Sequence, residues 1–361
     1  MEDELSPRKS QILLSAIEDY IQQASPITSS NIQHKCSLEL STATLRNELN
    51  ALEAMGYLRQ LHTSGGRVPT SKGYRYFVNS MMGDVPLDKS VLNEIQGLFD
   101  ERTVYLGDMI NDIANIVSKA TNYPTVVMLK GFEKLVIKNV KIIPLMTGQA
   151  LILIETTSGV INNSMQANTE IPTQTYIDAS NFLTKTFEGQ TVADMIKNMK
   201  TYRTDMSNEI IEFKNIFDAL MSSLNKIVDE IGGHKFSAKG QLRLLDVPEY
   251  SDLTKAKPII DAISNHSEME ELLTEELDDD VSFKIGSEIP VKDLQDCSVA
   301  RVDYSVGDET TASIGIIGPQ RMDYAKIASA LKFVVGEFNN IKLLGAKQEP
   351  EQKGDNDGQE R

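Results

Sequence analysis

Three side chains between residues 46 and 50 are of the types that recognise base edges in duplex DNA: Arg46, Asn47 and Asn50. An arginine can donate two hydrogen bonds to guanine O6 and N7, and an asparagine can pair with N6 and N7 of adenine in the major groove. A solvated helix face has the same composition, since arginine and asparagine are ordinary surface residues. The element that carries these residues, and its surroundings, must decide between the two interpretations.

The sequence predicts that these side chains lie on a helix that begins after Ser41. Ser41 and Thr42 are good N-caps, because a hydroxyl can accept a hydrogen bond from a free amide of the first turn. At about 100° per residue, Leu45, Leu49 and Leu52 share one side, which must face a core. The opposite side holds Ala43, Arg46, Asn47 and Asn50 and no carboxylate. We expect this side, together with Thr42, to contact DNA bases.

The residues after this reading helix predict a hairpin followed by another helix. Gly56 can end the reading helix, and residues 57–61 and 67–69 have the composition of two short strands. The connection between the strands contains His62, Thr63 and Ser64. Thr70 and Ser71 then offer a cap for a helix that contains Lys72 and Arg75.

Positive charge gathers on this stretch, although the formal net charge of the protein is −16. Residues 54–83 include four Lys or Arg residues and no Asp or Glu. Such a local reversal of charge favours contact with phosphates over a merely solvated surface. We therefore expect six side chains of the hairpin and the following helix to contact the DNA backbone: His62, Thr63, Ser64, Arg67, Lys72 and Arg75.

The residues before the reading helix complete a known arrangement. Ser6 and Pro7 begin a first helix that should end near Ser25 and Pro26, and a short helical segment follows Thr28. Helix, short helix, turn and reading helix make a helix-turn-helix. With the hairpin as a wing, residues 1–83 are predicted to form a winged helix.

The rest of the chain has mixed helical and strand patterns, so the predicted fold class is α+β. Residues 1–80 contain eight basic and eight acidic side chains, and the whole acidic excess therefore lies after them. A helix is expected up to about residue 120, one antiparallel sheet from segments at 125–130, 135–145, 149–156 and 159–166, and helices over 172–188 and 192–231. Residues 232–280 look irregular and then helical, strands return after residue 280, and a last helix should start near Asp323.

The segment from Gly318 to Asp323 follows an apolar strand and opens this last helix. One interpretation is an anion or effector pocket, because backbone amides at a helix start attract negative charge. The other is a turn in which Pro319 and Asp323 direct and cap the chain. No glycine-rich signature accompanies the segment, which favours the structural interpretation. Residues 346–361 lack an apolar period and predict a disordered acidic tail.

Two long motif blocks resemble the heat-inducible transcription repressor HrcA of bacteria. They are TATLRNELNALEAMGYLRQLHTSGGRVPTSKGYRYFV and, near the end, CSVARVDYSVG with ASIGIIGPQRMDYAKI. The resemblance implies a GAF-like sensor domain at residues 88–204 and 281–345, interrupted by a dimerising insertion at 205–280. It also implies repression of heat-shock chaperone operons at an inverted-repeat operator called CIRCE, with assistance from the GroEL chaperonin.

Other features of the sequence exclude several classes of protein. Cys36 and Cys297 are the only cysteines and no Cys/His cluster accompanies them, so neither a disulfide framework nor a metal site is predicted. The four histidines are scattered and catalytic motifs are lacking, so we expect no enzyme and no cofactor. Without a signal peptide or a long apolar run, a cytoplasmic protein is expected. An effector-binding regulator of another regulon, a ligand-processing sensor domain and a protein-binding winged helix remain alternatives.

Overall fold

The computed structural model describes residues 5–35, 40–61, 66–80, 89, 92–93, 96, 106–157, 159–167, 171–205, 234–274, 280–305 and 310–346. Helices and antiparallel strands both occur in these residues, which confirms the α+β class. Three predicted wing residues, His62, Thr63 and Ser64, lie outside them. So do residues 206–233 of the predicted insertion and the predicted tail after residue 346.

The first unit is the expected winged helix. Its elements are α1 (Pro7–Gln23), α2 (Ser29–Gln33), α3 (Thr42–Ala54), β1 (Leu58–Gln60), β2 (Arg67–Pro69) and α4 (Ser71–Ser80). Ser6 caps α1 as predicted, because its side chain accepts a hydrogen bond from the Lys9 amide. The backbone of Ile27 exchanges hydrogen bonds of 2.7 and 2.9 Å with Arg67 and so adds a third short segment to the wing.

The core of this unit consists of the apolar sides of α1 and α3. Ile12, Leu13 and Ile17 of α1 and Leu45, Leu49 and Leu52 of α3 are all 0% exposed. Burial of such side chains stabilises each by roughly 1.5–3 kcal/mol relative to exposure. The leucine spacing therefore fixes which side of α3 faces the core and leaves the opposite side to solvent.

Among the described residues after the winged helix, α5 (Leu106–Thr121) is followed by eight strands. The strands are β3 (Thr125–Lys130), β4 (Ile137–Pro144), β5 (Gln149–Thr156), β6 (Gly159–Gln166), β7 (His234–Lys239), β8 (Ser282–Ile285), β9 (Cys297–Ser305) and β10 (Thr311–Pro319). The helices are α6 (Thr173–Phe187), α7 (Val192–Asp205), α8 (Leu253–Ser264), α9 (His266–Thr274) and α10 (Tyr324–Ala346). Short 3₁₀ turns occur at Phe132–Lys134, Gln241–Asp246, Pro248–Tyr250, Gly286–Glu288 and Lys292–Leu294.

Five of these strands form one antiparallel sheet in the order β7-β3-β10-β9-β8. Both of its faces are covered. Val127 and Leu129 of β3 belong to the same apolar core as α5 and α10, whereas Val126 and Met128 pack with α8 and α9. This alternation follows from the two-residue period of a strand.

Strands β4, β5 and β6 form a separate three-stranded sheet that α6 covers. Ser180 and Thr184 of α6 accept hydrogen bonds of 2.9 Å from the amides of Ile142 and Val140 on β4. These bonds satisfy backbone donors on β4, which has β5 as its neighbour in this sheet. The sheet and its helices lie between β3 and β7 in the sequence.

The strand pairing corrects one prediction about this part. The prediction of a single sheet over residues 125–166 is wrong, because β3 pairs with β10 and β7 while β4 pairs with β5. Strand β7 is an edge strand of the five-stranded sheet, and helices α8 and α9 pack on that sheet; all three lie within residues 205–280, the segment that the family resemblance implied as an insertion. Apolar patterning specifies which face of a strand is buried and does not specify its partner strand.

Candidate DNA-binding interface

Helix α3 is held so that one side faces solvent. The Ser41 side chain accepts a hydrogen bond of 3.2 Å from the Thr44 amide and caps the helix, as predicted, while Thr42 is the first helical residue. The core leucines then turn the opposite side outward. All five residues expected to contact bases are exposed: Thr42, Ala43, Arg46, Asn47 and Asn50.

Two of these residues present unoccupied polar groups. Arg46 and Asn47 have no hydrogen-bond or ion-pair partner within the described ranges. Glu48, which lies beside them in sequence, is drawn away by ion pairs with Arg8 (3.2 Å) and Lys9 (3.3 Å) on α1. The guanidinium and amide are therefore available to a ligand, with no carboxylate on the same side of the helix.

Arg67 was expected to contact a phosphate, but its guanidinium is bonded to residues of α3. Its Nε lies 2.8 Å from Glu53 Oε2, its Nη2 donates to the Asn50 side-chain oxygen, and its side chain is only 12% exposed. The guanidinium thus ties the wing to α3 and occupies the amide oxygen of Asn50. The backbone pairing of Arg67 with Ile27 also fixes the position of β2 next to the segment before α2.

Helix α4 carries the two other predicted phosphate contacts. The Lys72 ammonium is exposed, 3.0 Å from the Met55 carbonyl oxygen and 4.4 Å from the centre of the Tyr57 ring. Arg75 instead forms an ion pair with Glu288, with Nε 2.9 Å from Oε1, and donates to the Phe283 carbonyl oxygen at 2.5 Å. Its hydrogen bond with Glu288 raises the pKa of the Arg75 guanidinium, so it stays protonated.

Sequence reasoning missed the partners of Arg75. Phe283 and Glu288 are more than 200 residues away in the sequence, and only the folded chain brings them to α4. The expected site also did not include Arg59, although this residue is exposed on β1. The charge count over residues 54–83 already contained Arg59, so a signal for it was present.

The segment from Gly318 to Asp323 does turn and cap the chain. The Asp323 carboxylate accepts a hydrogen bond of 3.0 Å from the Lys326 amide, and the Met322 amide donates to the Pro319 carbonyl oxygen. Gln320 and Arg321 also line a cavity of about 600 Å³ between the winged helix and the rest of the chain. Arg321 is paired there with Glu249.

Two features of the described residues bear on metal and thiol chemistry: clusters of possible metal ligands, and the thiol of Cys297. In the part of the chain that the structure describes, no cluster of three or more His, Cys, Asp or Glu residues could hold a metal ion. The Cys297 thiol is fully buried, 3.3 Å from the Tyr250 hydroxyl, and burial raises its pKa to about 12. A thiol with such a pKa is protonated at neutral pH and therefore unreactive.

None of the helices in the described ranges combines the length and apolar character that crossing a bilayer requires.

A winged helix with an exposed arginine and asparagine face, joined to a separate α/β unit, defines a class of protein: a DNA-binding transcription regulator.

Comparison with known proteins specifies the class further. The family model for the "Winged helix-turn-helix transcription repressor, HrcA DNA-binding" matches residues 4–82, and the model for the "HrcA protein C terminal domain" matches residues 107–328. The heat-inducible transcription repressor HrcA of Symbiobacterium thermophilum is 30% identical over 345 residues, which is 94% of this chain and 99% of that protein. The HrcA of Thermoanaerobacter pseudethanolicus is 32% identical over 343 residues, covering 93% and 97% of the two chains.

The chain therefore belongs to the HrcA family of heat-inducible transcription repressors. Transcription repression is not an enzymatic function, so the family assignment agrees with the expectation of a non-enzyme. A crystal structure described only as that of a hypothetical protein has the same fold, with a TM-score of 0.72 at 18% identity. It covers 94% of this chain and 98% of the other.

Proposed function

We propose that this protein represses heat-shock chaperone operons by binding, as a dimer, to an inverted-repeat operator of the CIRCE type. The observation that carries the proposal is the exposed side of α3, where Arg46 and Asn47 have no partner within the described residues. A major groove admits one helix with its polar side chains turned to base edges. This side of α3 has the residue types and the exposure that such binding requires.

Base recognition is assigned to Arg46, Asn47 and Asn50, with Thr42 and Ala43 at the start of the helix beside them. The hydrogen bond from Arg67 to the Asn50 oxygen orients the Asn50 amide, and its NH₂ group can then donate to a base. Arg67 is therefore proposed as a positioning residue that orients Asn50 and the wing, rather than as a direct phosphate contact.

Phosphate contacts are assigned to the wing and α4. Lys72 and Arg75 lie on α4, and His62, Thr63 and Ser64 lie in the connection between β1 and β2. Contacts of this kind fix the register of a protein on the duplex and make binding salt-dependent, but they contribute little to sequence preference.

Dimerisation is assigned to the unit inserted between β3 and β7. Large apolar side chains are exposed on it, at Ile143, Leu145 and Met146 around the β4–β5 hairpin and at Ile177 and Phe182 on α6. Exposed apolar side chains that lie close together on a surface are typical of association surfaces. A two-fold operator requires two linked winged helices, which a dimer supplies.

Assistance from a GroEL-type chaperonin is the remaining part of the proposal, and it rests on the family resemblance. The repressor would act in the cytoplasm, where a bacterial operator is located. The test is a titration of the full-length protein on a CIRCE-type duplex and on a scrambled duplex of equal composition, with and without chaperonin. Equal affinity for both duplexes under all conditions would contradict the proposal.

A second candidate is an effector-binding regulator of another regulon. The cavity of about 600 Å³ next to Gln320 and Arg321 favours it, because this volume is within the range of small-molecule sites. Preference for the CIRCE-type duplex in the titration would favour the first candidate. No preference for that duplex, together with tight binding of a different promoter, would favour the second.

A further inference from the structure

Helix α4 contacts the rest of the molecule through Arg75, which we have assigned to DNA binding, and through Ser71. Arg75 pairs with Glu288 and donates to the Phe283 carbonyl oxygen, and the Ser71 hydroxyl lies 3.1 Å from the Gln320 side-chain oxygen. We call the set of Ser71, Arg75, Phe283, Gly286 and Glu288 the α4–β8 contact. It joins the winged helix to an edge strand of the five-stranded sheet.

The β8 side of this contact has a shape that fits α4. Gly286 has a φ of +61°, and a Cβ at this position would lie 2.3 Å from the Ser71 hydroxyl oxygen. A side chain at this position would therefore displace the Ser71 hydroxyl, and the positive φ would strain the turn. The Glu288 carboxylate is oriented by the Ile285 amide, which donates to it at 2.8 Å. Glu288 thus points towards Arg75 because of contacts within its own turn.

The contact is also weak enough to open. The side chains of Arg75 and Glu288 are 31% and 37% exposed, and an ion pair with that exposure contributes little net stability. Next to it, the cavity of about 600 Å³ separates Tyr20 and Tyr74 of the winged helix from Glu249 and Arg321. An incompletely filled boundary between two units permits relative motion.

DNA and Glu288 require the same atoms of Arg75. The nitrogens Nε and Nη2 form the forked pair that binds a carboxylate or a phosphate, and both already face Glu288. A phosphate in that place would also be repelled by the Glu288 carboxylate. The two partners therefore exclude each other at Arg75.

We propose that Arg75 exchanges between Glu288 and a DNA phosphate, so that the α4–β8 contact holds the winged helix in a state with weaker operator affinity. Glu288 occupies the place of a phosphate group. The apparent affinity is the affinity of the open state multiplied by the fraction of molecules in which the contact is open. This inference rests on the proposed function, because it takes α4 as part of the DNA-binding surface.

The test measures operator affinity of the full-length protein by fluorescence anisotropy in four forms: wild type, Glu288→Gln, Arg75→Ala and the double variant. Glu288→Gln should tighten binding by about two- to fivefold, the range expected for loss of a partly exposed ion pair. Arg75→Ala should weaken binding, and in its background Glu288→Gln should change nothing. A double-mutant cycle of this kind isolates the coupling between the two residues.

The control is Glu270→Gln, which removes the same charge. Glu270 is 39% exposed, close to the 37% of Glu288, and it pairs with His266 on α9. It should leave operator affinity unchanged. Equal tightening by both glutamine variants, or tightening by Glu288→Gln without Arg75, would overturn the inference because net charge alone would then explain the gain.

A second variant perturbs the contact without changing any charge, because it displaces the Ser71 hydroxyl and strains the turn that orients Glu288. Gly286→Ala places a methyl group against Ser71 and should also tighten operator binding, with thermal unfolding monitored to verify that the protein is folded. A folded Gly286→Ala protein with wild-type affinity would contradict the inference.

If wild type prefers the operator while Glu288→Gln has no effect, the inference fails and the proposed function stands. If wild type shows no preference for the operator over a scrambled duplex, the proposed function fails first.

Discussion

At the scale of single residues, Arg46 and Asn47 are distinguished by having exposed polar groups that no side chain in the described residues engages. Replacing either by Ala should cost about 1–3 kcal/mol of operator binding, because each can form a bidentate bond to a base. Thermal unfolding should be nearly unchanged, since neither side chain packs in the core. Lys332→Ala, on the exposed surface of α10, serves as the control for general charge loss. Equal weakening on operator and scrambled duplexes would indicate phosphate contact only.

Arg67 and Lys72 are both basic but have different surroundings, so their loss should have different effects. Arg67→Ala should lower the free energy of unfolding by about 1–2 kcal/mol, because it removes hydrogen bonds to Glu53 and Asn50. Lys72→Ala should lower the free energy of unfolding by at most about 1 kcal/mol, for its exposed contacts with Met55 and Tyr57, and reduce the slope of log affinity against log salt by about one. Urea denaturation and binding titrations at several salt concentrations measure the two effects. A stable Arg67→Ala protein with a reduced salt slope would restore Arg67 as a phosphate contact.

At the scale of elements, α4 depends on a close approach to the chain before β1. A Cβ at Gly73 would lie 2.3 Å from the Tyr57 carbonyl oxygen, so Gly73→Ala must displace the helix. We expect a loss of about 1–3 kcal/mol in the free energy of unfolding, as for other overpacked sites. Gly336→Ala is the matched control, because nothing lies within 4 Å of its Cβ position in α10. There the better helix propensity of alanine should stabilise by up to about 1 kcal/mol.

The sequence was sufficient to predict the winged helix because its elements are defined by local signals. Caps at Ser6 and Ser41 and the leucines of α3 specify the ends and the buried side of each helix. The two sheets could not be predicted in the same way, because a local pattern does not contain the information on which strands pair. Strand β3, with the apolar run VVML, has the composition of a strand buried on both faces, which could have separated it from the alternating β4. Strand β7, with the sequence HKFSAK, is a polar edge strand and had no such signal.

The candidate site, like the fold, could be predicted only where local sequence signals define it. The exposed residues of α3 follow from helical period alone, and the structure places them as expected. The partners of Arg67 and Arg75 cannot be predicted from helical period, because Glu53, Asn50 and Glu288 contact these arginines only in the folded chain. Charge counting therefore identified the basic residues and could not tell which of them are already paired.

At the scale of the whole molecule, operator binding should require the part of the chain after the winged helix. The helices of residues 1–80 pack on one another, so a fragment of these residues should be monomeric in analytical ultracentrifugation. It should also bind an inverted repeat about 10²–10⁴-fold more weakly than the full-length protein, because two linked units gain from effective concentration. A stable dimer of the fragment would mean that the winged helix itself carries the dimer interface.

The central claim is that the exposed side of α3 recognises a specific DNA sequence. The most direct measurement is a competition titration of the full-length protein on a CIRCE-type inverted repeat against a scrambled duplex of the same length and composition, at one fixed salt concentration. We predict a preference of about 10³-fold or more, which is usual for specific DNA-binding proteins. In Arg46→Ala this preference should fall by about 5- to 150-fold, which corresponds to a loss of about 1–3 kcal/mol, while binding to the scrambled duplex stays the same. Equal affinity of the wild-type protein for both duplexes would contradict the claim.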